Sequence, residues 1–269
     1  MKNTLIMGVI NLTPDSFSDG GDFFNPSKAF KKILDLMEEG ADIIDIGAES
    51  TRPGAEPISV EEEWNRLFPV LERLSRSNLS IPLSIDTRRG EIMKRVIDSY
   101  DVSIINDVNG GADESVLEAI ARRSLTYLAM HKHGCPQTMQ QSPLTAGEAL
   151  KEVAGFYQQT REKLLQFGFN PHQIWLDPGI GFGKTDAANL QLLKQVSEFT
   201  NSYNIAIGIS RKSFLGRILD IKRPKDRDSA SKMAEMSLLF ANVKAIRTHD
   251  VAHLSVIKKL LLSEQLLMN

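Results

Sequence analysis

The sequence predicts a (β/α)8 barrel, and three observations predict it. Eight short apolar runs recur through the 269 residues, helical patterns fill the intervals, and nearly every run ends on a polar residue able to do chemistry. Strands alternating with helices pair in parallel, because each crossover returns the chain to the same edge. A barrel of eight such units takes about 250 residues, and its active site lies at the C-terminal ends of the strands. The polar tips are therefore expected at one mouth.

In order, the runs are Leu5–Ile10 into Asn11, Ile43–Ala48 into Glu49-Ser50-Thr51, Leu83–Ile85 into Asp86, and Ser103–Ile105 into Asn106. Then come Leu125–Met130 into His131, Ile174–Leu176 into Asp177, Ile205–Ile209 into Ser210-Arg211-Lys212, and Ala245–Ile246 into Arg247-Thr248-His249. Between the first two, Asn25 and Pro26 open a helix whose apolar face is Phe30, Ile33, Leu34 and Met37, and Gly40 stops it. Ser59-Val60-Glu61-Glu62 is a capping box before the stripe Trp64, Leu67, Phe68 and Leu71, within which Pro69 should kink or shorten the helix. Further helical patterns cover Gly90–Ser99, Glu114–Arg123, Ala146–Gln166, Ala188–Phe199, Ser229–Ala241 and Val251–Leu267. No linker or low-complexity stretch divides residues 1–269, so one domain is expected. The unequal intervals exclude a solenoid array.

A formal charge of −2 leaves no basic footprint for nucleic acid and no polybasic membrane signal. Hydrophobic content of 42% is that of a globular protein with ample core, yet no stretch approaches the ~20 apolar residues of a membrane helix. The one cysteine, Cys135, excludes an intramolecular disulfide and fits a reducing cytoplasm. Leu5–Ile10 is too short for a secretion signal and lacks a small-residue cleavage site after it. A soluble, cytoplasmic protein is expected.

Asp86, Asn106 and Asp177 form the sharpest set. A carboxylate at the end of a buried strand is costly unless it is paired or hydrogen-bonded. One such residue could cap a helix. Three from separate strands are better explained by a shared polar ligand, and Asp and Asn together suit a heterocycle with amino and ring N–H groups. Ser210-Arg211-Lys212-Ser213 and Arg247-Thr248-His249 add cations to the same mouth. They fit either a solvated rim or phosphate recognition, and two strand tips favour the phosphate.

Asp177-Pro178-Gly179-Ile180-Gly181-Phe182-Gly183-Lys184-Thr185 fails as a Walker loop at Pro178 and as a dinucleotide fingerprint at Lys184. It reads as a tight strand-to-helix loop. The loops Thr13–Gly21 and Ser50–Ala55 mix Gly, Pro and small hydroxyls with Phe17 and Arg52, the composition of lids or substrate clamps. His131 and His133 lack an accompanying carboxylate motif, so no metal site is expected there. Cys135 has no evident base partner, and no serine sits in a nucleophile elbow.

Two long segments carry a family resemblance. Met7–Gly21 (MGVINLTPDSFSDGG) resembles the opening signature of dihydropteroate synthases, and Gly47–Gly54 (GAESTRPG) resembles their second signature. Ser84–Thr87, Ile105–Asp107, Leu176–Lys184, Ser210–Ser213 and Arg247–Asp250 follow in the family's order, so the resemblance spans essentially the whole chain. It implies a (β/α)8 barrel, usually a homodimer, that acts in folate synthesis. The implied reaction joins 6-hydroxymethyl-7,8-dihydropterin diphosphate to 4-aminobenzoate and releases diphosphate, with Mg2+. By motif match, Asp86, Asn106 and Asp177 are implied on the pterin edge and Lys212 on its oxo and N5 side. Arg247 is implied over the ring face and at the phosphate, with Thr51, Arg52 and His249 also on the diphosphate and Asn11 on the metal. Phe17, Pro53, Phe182 and Ser213 are implied around 4-aminobenzoate, and Lys212, Arg247 and His249 as the catalytic group.

The sequence departs from the family pattern at His131-Lys132-His133-Gly134, where a methionine and a glutamine are expected, at Asn109 in place of serine, and at Ala188 in place of histidine. None of these carries an implied role. Two other readings share the barrel. A pterin-binding methyltransferase has no diphosphate to hold, which the strand tip at Ser210–Ser213 and the Thr13–Gly21 loop argue against. A non-catalytic relative should have lost some of Asn11, Arg52, Lys212 or Arg247, and all four are present.

Overall fold

A computed structural model describes residues 4–13, 25–51, 54–135 and 137–267. Eight parallel strands close into a barrel in sequence order: β1 (Leu5–Asn11), β2 (Ile43–Gly47), β3 (Leu83–Asp86), β4 (Ile104–Asp107), β5 (Thr126–Met130), β6 (Ile174–Asp177), β7 (Asn204–Gly208) and β8 (Ala245–Thr248). Pairing of Leu5 through Gly8 with Ala245 through Thr248 seals the ring. The (β/α)8 expectation is met.

The helices are α1 (Pro26–Glu38), α2 (Val60–Ser75), α3 (Gly90–Ser99), α4 (Glu114–Arg122), α5 (Ala146–Gln166), α6 (Asp186–Lys194), α7 (Val196–Thr200), α8 (Ser213–Ile218), α9 (Asp228–Phe240) and α10 (Val251–Leu267). Their starts follow the expected chemistry. Asn25 Oδ1 accepts from the N–H groups of Ser27 and Lys28 at 3.0 and 3.2 Å, and Ser59 Oγ accepts from Glu62 N at 3.1 Å.

Three details differ from the sequence expectation. Helix α2 continues through Pro69 to Ser75, because Leu67, Val70, Leu71 and Leu74 remain buried on either side of it. The pattern over Ala188–Phe199 is two helices that meet at Gln195, where the backbone leaves helical angles without a Gly or Pro. The one-and-a-half turns of α8 directly after Lys212 were not expected.

Two apolar layers hold the barrel. The larger fills the space between strands and helices, and includes Ile6, Ile44, Ile46, Ile85, Ile105, Leu176, Ile207 and Ile246 from the outward faces of the strands. The smaller is a plug inside the ring, made of Met7, Ile43, Ile104, Leu128, Trp175, Ala206 and Ala245. Side chains alternate across a strand, so the residue two positions beyond each plug residue points inward one level higher. That step turns Ile43 into Asp45, Ile104 into Asn106, Trp175 into Asp177 and Ala245 into Arg247. The plug is the floor of the mouth, and the polar tips stand on it.

Candidate active site

The floor of the mouth is a charged network across the barrel. Arg247 donates from Nε and Nη2 to Asp45 Oδ2 at 2.9 and 2.5 Å, and from Nη2 to Asp86 Oδ2 at 2.6 Å. Asn106 Nδ2 lies 3.3 Å from both oxygens of Asp45. Asp177 Oδ1 accepts from Gly179 N at 2.7 Å. Gly47 is the inward position one step above Asp45 on β2, and Gly208 is the inward position at this level on β7. A Cβ there would press on Asp86 Cβ at 3.3 Å and Arg247 Cβ at 3.4 Å, so the two glycines keep the cup open.

Among the described residues, each edge residue keeps one oxygen outside these bonds: Asp86 Oδ1, Asn106 Oδ1 and Asp177 Oδ2. Three acceptors at the C-terminal ends of three strands are complementary to a heterocycle edge that presents several N–H donors. Burial pushes the Asp86 carboxyl up to about 7, against the pull of Arg247 and with Asp45 adding to the rise. Burial also raises Asp177, while Lys212 and Arg247 draw it back down. For Arg247, burial opposes the charge and the carboxylates of Asp45 and Asp86 more than restore it, so the guanidinium stays ionised.

The implied residues that the structure describes lie at the C-terminal ends of the strands or in the loops just beyond them, with one rearrangement. Lys212 caps α8 and reaches across the mouth, its Nζ donating to Ile180 O and lying 4.6 Å from the centroid of the Phe182 ring. Ser213 follows as the first residue of α8, its Oγ accepting from Arg217 at 3.2 Å. His249, just past β8, sits 3.1 Å through Nδ1 from Ser210 Oγ and 3.5 Å through Nε2 from Asn11 Nδ2. Thr51 is half-buried four residues past β2. Arg247 is the rearrangement: it points down onto Asp45 and Asp86, because two buried carboxylates outcompete the solvated mouth for a guanidinium. Phe17, Arg52 and Pro53 lie outside the described residues.

Sequence reasoning missed two parts of the site. Asp45 is fully buried on the inward face of β2 and ties Arg247 to Asn106. A carboxylate between Ile44 and Ile46 is itself a signal, since burying it alone would be prohibitive. The second part is the buttress below the β2 loop. Glu49 accepts from Arg88 Nε at 2.6 Å, Arg89 Nη2 at 2.9 Å and Ile58 N at 3.2 Å, and Arg89 also pairs with buried Glu63. Against its burial, these donors hold the Glu49 carboxyl below its usual range. His131 and His133 also gain an unforeseen carboxylate, with Glu152 Oε2 at 3.7 and 3.3 Å.

A family model described as pterin binding enzyme matches residues 7–249. That places the barrel and its acceptor-lined cup in the class of pterin-binding enzymes. The dihydropteroate synthase of a Synechocystis species is 39% identical over 260 residues, covering 96% of this chain and 89% of the relative. A Yersinia pestis dihydropteroate synthase in complex with a sulfonamide drug superimposes with a TM-score of 0.88 at 34% identity, covering 98% and 95% of the two chains. A Xanthomonas albilineans dihydropteroate synthase with 4-aminobenzoic acid gives the same score and identity over 98% and 93%. The chain belongs to the pterin-binding enzyme family and, within it, to the dihydropteroate synthases. It is a transferase of folate biosynthesis.

Proposed function

We propose that this cup binds 6-hydroxymethyl-7,8-dihydropterin diphosphate by its pyrimidine edge and presents the methylene carbon to 4-aminobenzoate. The observation that carries the reading is the placement of Asp86, Asn106 and Asp177 at the C-terminal ends of three strands, each with one oxygen outside the bonds of the floor. A 2-amino-4-oxopyrimidine edge offers the N–H donors this set lacks. The bound ligands of the Xanthomonas and Yersinia relatives support an arylamine subsite beside it, and sulfonamides as its inhibitors.

The chemistry asks little of a base. An arylamine is neutral at pH 7 and attacks through its own lone pair, so the difficult step is loss of diphosphate from the methylene carbon. Asp86, Asn106 and Asp177 orient the ring, whose electron-rich dihydropterin stabilises the carbon as the C–O bond breaks. Lys212 positions the oxo and N5 side of the ring and transfers no proton. Arg247, released from Asp45 and Asp86, covers the ring and meets the diphosphate with His249, Thr51 and Arg52, stabilising charge that develops on the leaving group. Phe182 and Ser213, with Phe17 and Pro53 from the mouth loops, enclose the aminobenzoate and exclude water.

Asn11 suits a magnesium ion carried in with the diphosphate. Its amide nitrogen faces His249, which leaves the carbonyl oxygen, a hard donor, for the cation. Among the described residues no group of three His, Cys, Asp or Glu side chains could hold a metal. When bound, the ion would neutralise diphosphate charge.

The homodimer reading rests on α9 and α10, which pack together and expose Met233, Phe240, Val256 and Leu260 by 66, 56, 64 and 59%. None of the described helices is long and apolar enough to cross a membrane, and the single cysteine supports a cytoplasmic site.

Titration of 4-aminobenzoate into the protein tests the shared pocket. Binding should strengthen by at least ~1–3 kcal/mol of coupling when magnesium diphosphate and a pterin are present. Equal affinity with and without them would show that the mouth loops do not build the subsite.

A further inference from the structure

The β6 loop carries two of the groups the reaction uses, Phe182 and the carbonyl on which Lys212 rests. Each of its carbonyls from Gly179 to Gly183 has a donor. Ile180 O takes Lys212, Gly181 O takes Gln140 Nε2 at 3.2 Å, and Gly183 O takes Leu144 N at 2.9 Å. Gly179 O and Phe182 O both take Lys184 Nζ, at 3.0 and 3.1 Å. Lys184 does not face the mouth. It is fully buried beneath the loop, and its third contact is His131 Nδ1 at 2.9 Å. An ammonium has three N–H donors, and here it meets three acceptors.

The β5 and β6 loops pack closely around it. Gly179 and Gly183 have φ values of +64° and +69°, and a Cβ at either would stand 1.7 Å from His131 O or 2.1 Å from His133 O. The β5 and β6 loops are thus zipped backbone to backbone, joined also by His131 N to Asp177 O at 2.9 Å. Burial, then the charges of Lys184 and His133, push the His131 pKa down to about 3, so the imidazole is neutral and its Nδ1 accepts. Burial, then the Lys212 charge, draw Lys184 down to about 7, while the Asp177 and Glu152 carboxylates favour its charged form.

We infer that Lys184 is a positioning residue for this reaction: its buried ammonium, held by His131, pins the β6 loop so that Phe182 walls the arylamine subsite and Lys212 is braced on Ile180. It also places a positive charge near Asp177, whose carboxylate must be ionised to read the pterin edge. The failed phosphate-loop pattern in the sequence thereby gains a physical account. Its lysine serves the loop from below and does not touch substrate.

The inference rests on the roles proposed for Phe182 and Lys212, and the experiment separates the two. Wild-type enzyme, Lys184→Met, His131→Asn and His131→Leu are compared for the aminobenzoate KM, for kcat, and for pterin affinity as a function of pH. An inactive wild type refutes the functional reading itself. With an active wild type, Lys184→Met should raise the aminobenzoate KM by about 10- to 100-fold, the range a lost charge-assisted bond supplies. It should also move the acid limb of pterin binding to higher pH, because Asp177 loses a neighbouring positive charge. A purely structural role would leave that limb in place. Asparagine at 131 can accept from Lys184 through Oδ1 and should keep KM near wild type, whereas leucine cannot and should move it towards Lys184→Met. A folded Lys184→Met with unchanged KM and acid limb overturns the inference. If Lys184→Met does not fold, equal KM values for His131→Asn and His131→Leu overturn it instead.

Discussion

Replacing Asp45 with alanine should destabilise the barrel from inside. The carboxylate has no solvent exposure and accepts two bonds from the Arg247 guanidinium, at 2.9 and 2.5 Å, with Asn106 Nδ2 at 3.3 Å. Removing one partner of a buried ion pair costs about 3–5 kcal/mol, because the charge left behind has no solvent to turn to. Arg247 keeps Asp86 at 2.6 Å, which places the expected loss at the low end, about 3 kcal/mol. The long Asn106 contact adds at most about 1 kcal/mol. Urea denaturation of both proteins measures the difference as a lower midpoint with an unchanged slope. Pterin affinity should fall as well, since Asn106 loses the group that turns its oxygen towards the ligand. A stability loss below about 0.5 kcal/mol, within the range of an ordinary surface change, would refute the network as the structural basis of the floor.

Other outcomes follow from the same geometry. Asp177→Ala should fold normally and lose pterin affinity by about 10- to 100-fold, the worth of one unsatisfied buried acceptor or donor; calorimetry showing unchanged affinity in a folded variant removes Asp177 from the edge. Glu235, buried with Oε1 unpartnered, has its carboxyl raised by burial from 4.5 to about 8. The folded state therefore holds its proton, so this group's contribution to stability is full below pH 4.5 and is lost as pH rises through about 8. Melting profiles should show Glu235→Gln gaining on wild type across that window, by up to about 1.4 kcal/mol per pH unit, and parallel profiles would contradict it. Met233→Glu with Val256→Glu should turn a dimer into a monomer in sedimentation, and a variant that stays dimeric moves the interface off α9 and α10.

The architecture was legible because β-strand tips at a barrel mouth announce themselves as polar residues closing apolar runs. Asn11, Asp86, Asn106, Asp177 and Arg247 were all found that way. Asp45 was hidden by the same signal, since it sits inside a run and not at its end, and its partner Arg247 lies 202 positions away. Only the period-two alternation of β2 points to it. Lys184 was visible as a motif residue, but its direction depends on the turn made by Gly179 to Gly183, which residue types alone do not fix. The break at Gln195 carried no Gly or Pro, and α8 is too short to show a period.

The most direct test of the account is a coupled assay that follows diphosphate release and dihydropteroate formation together. The wild-type protein, given 6-hydroxymethyl-7,8-dihydropterin diphosphate, 4-aminobenzoate and magnesium, should form one dihydropteroate for each diphosphate released and release little when the arylamine is omitted. Diphosphate release that does not depend on 4-aminobenzoate, or no dihydropteroate with both substrates present, would contradict it.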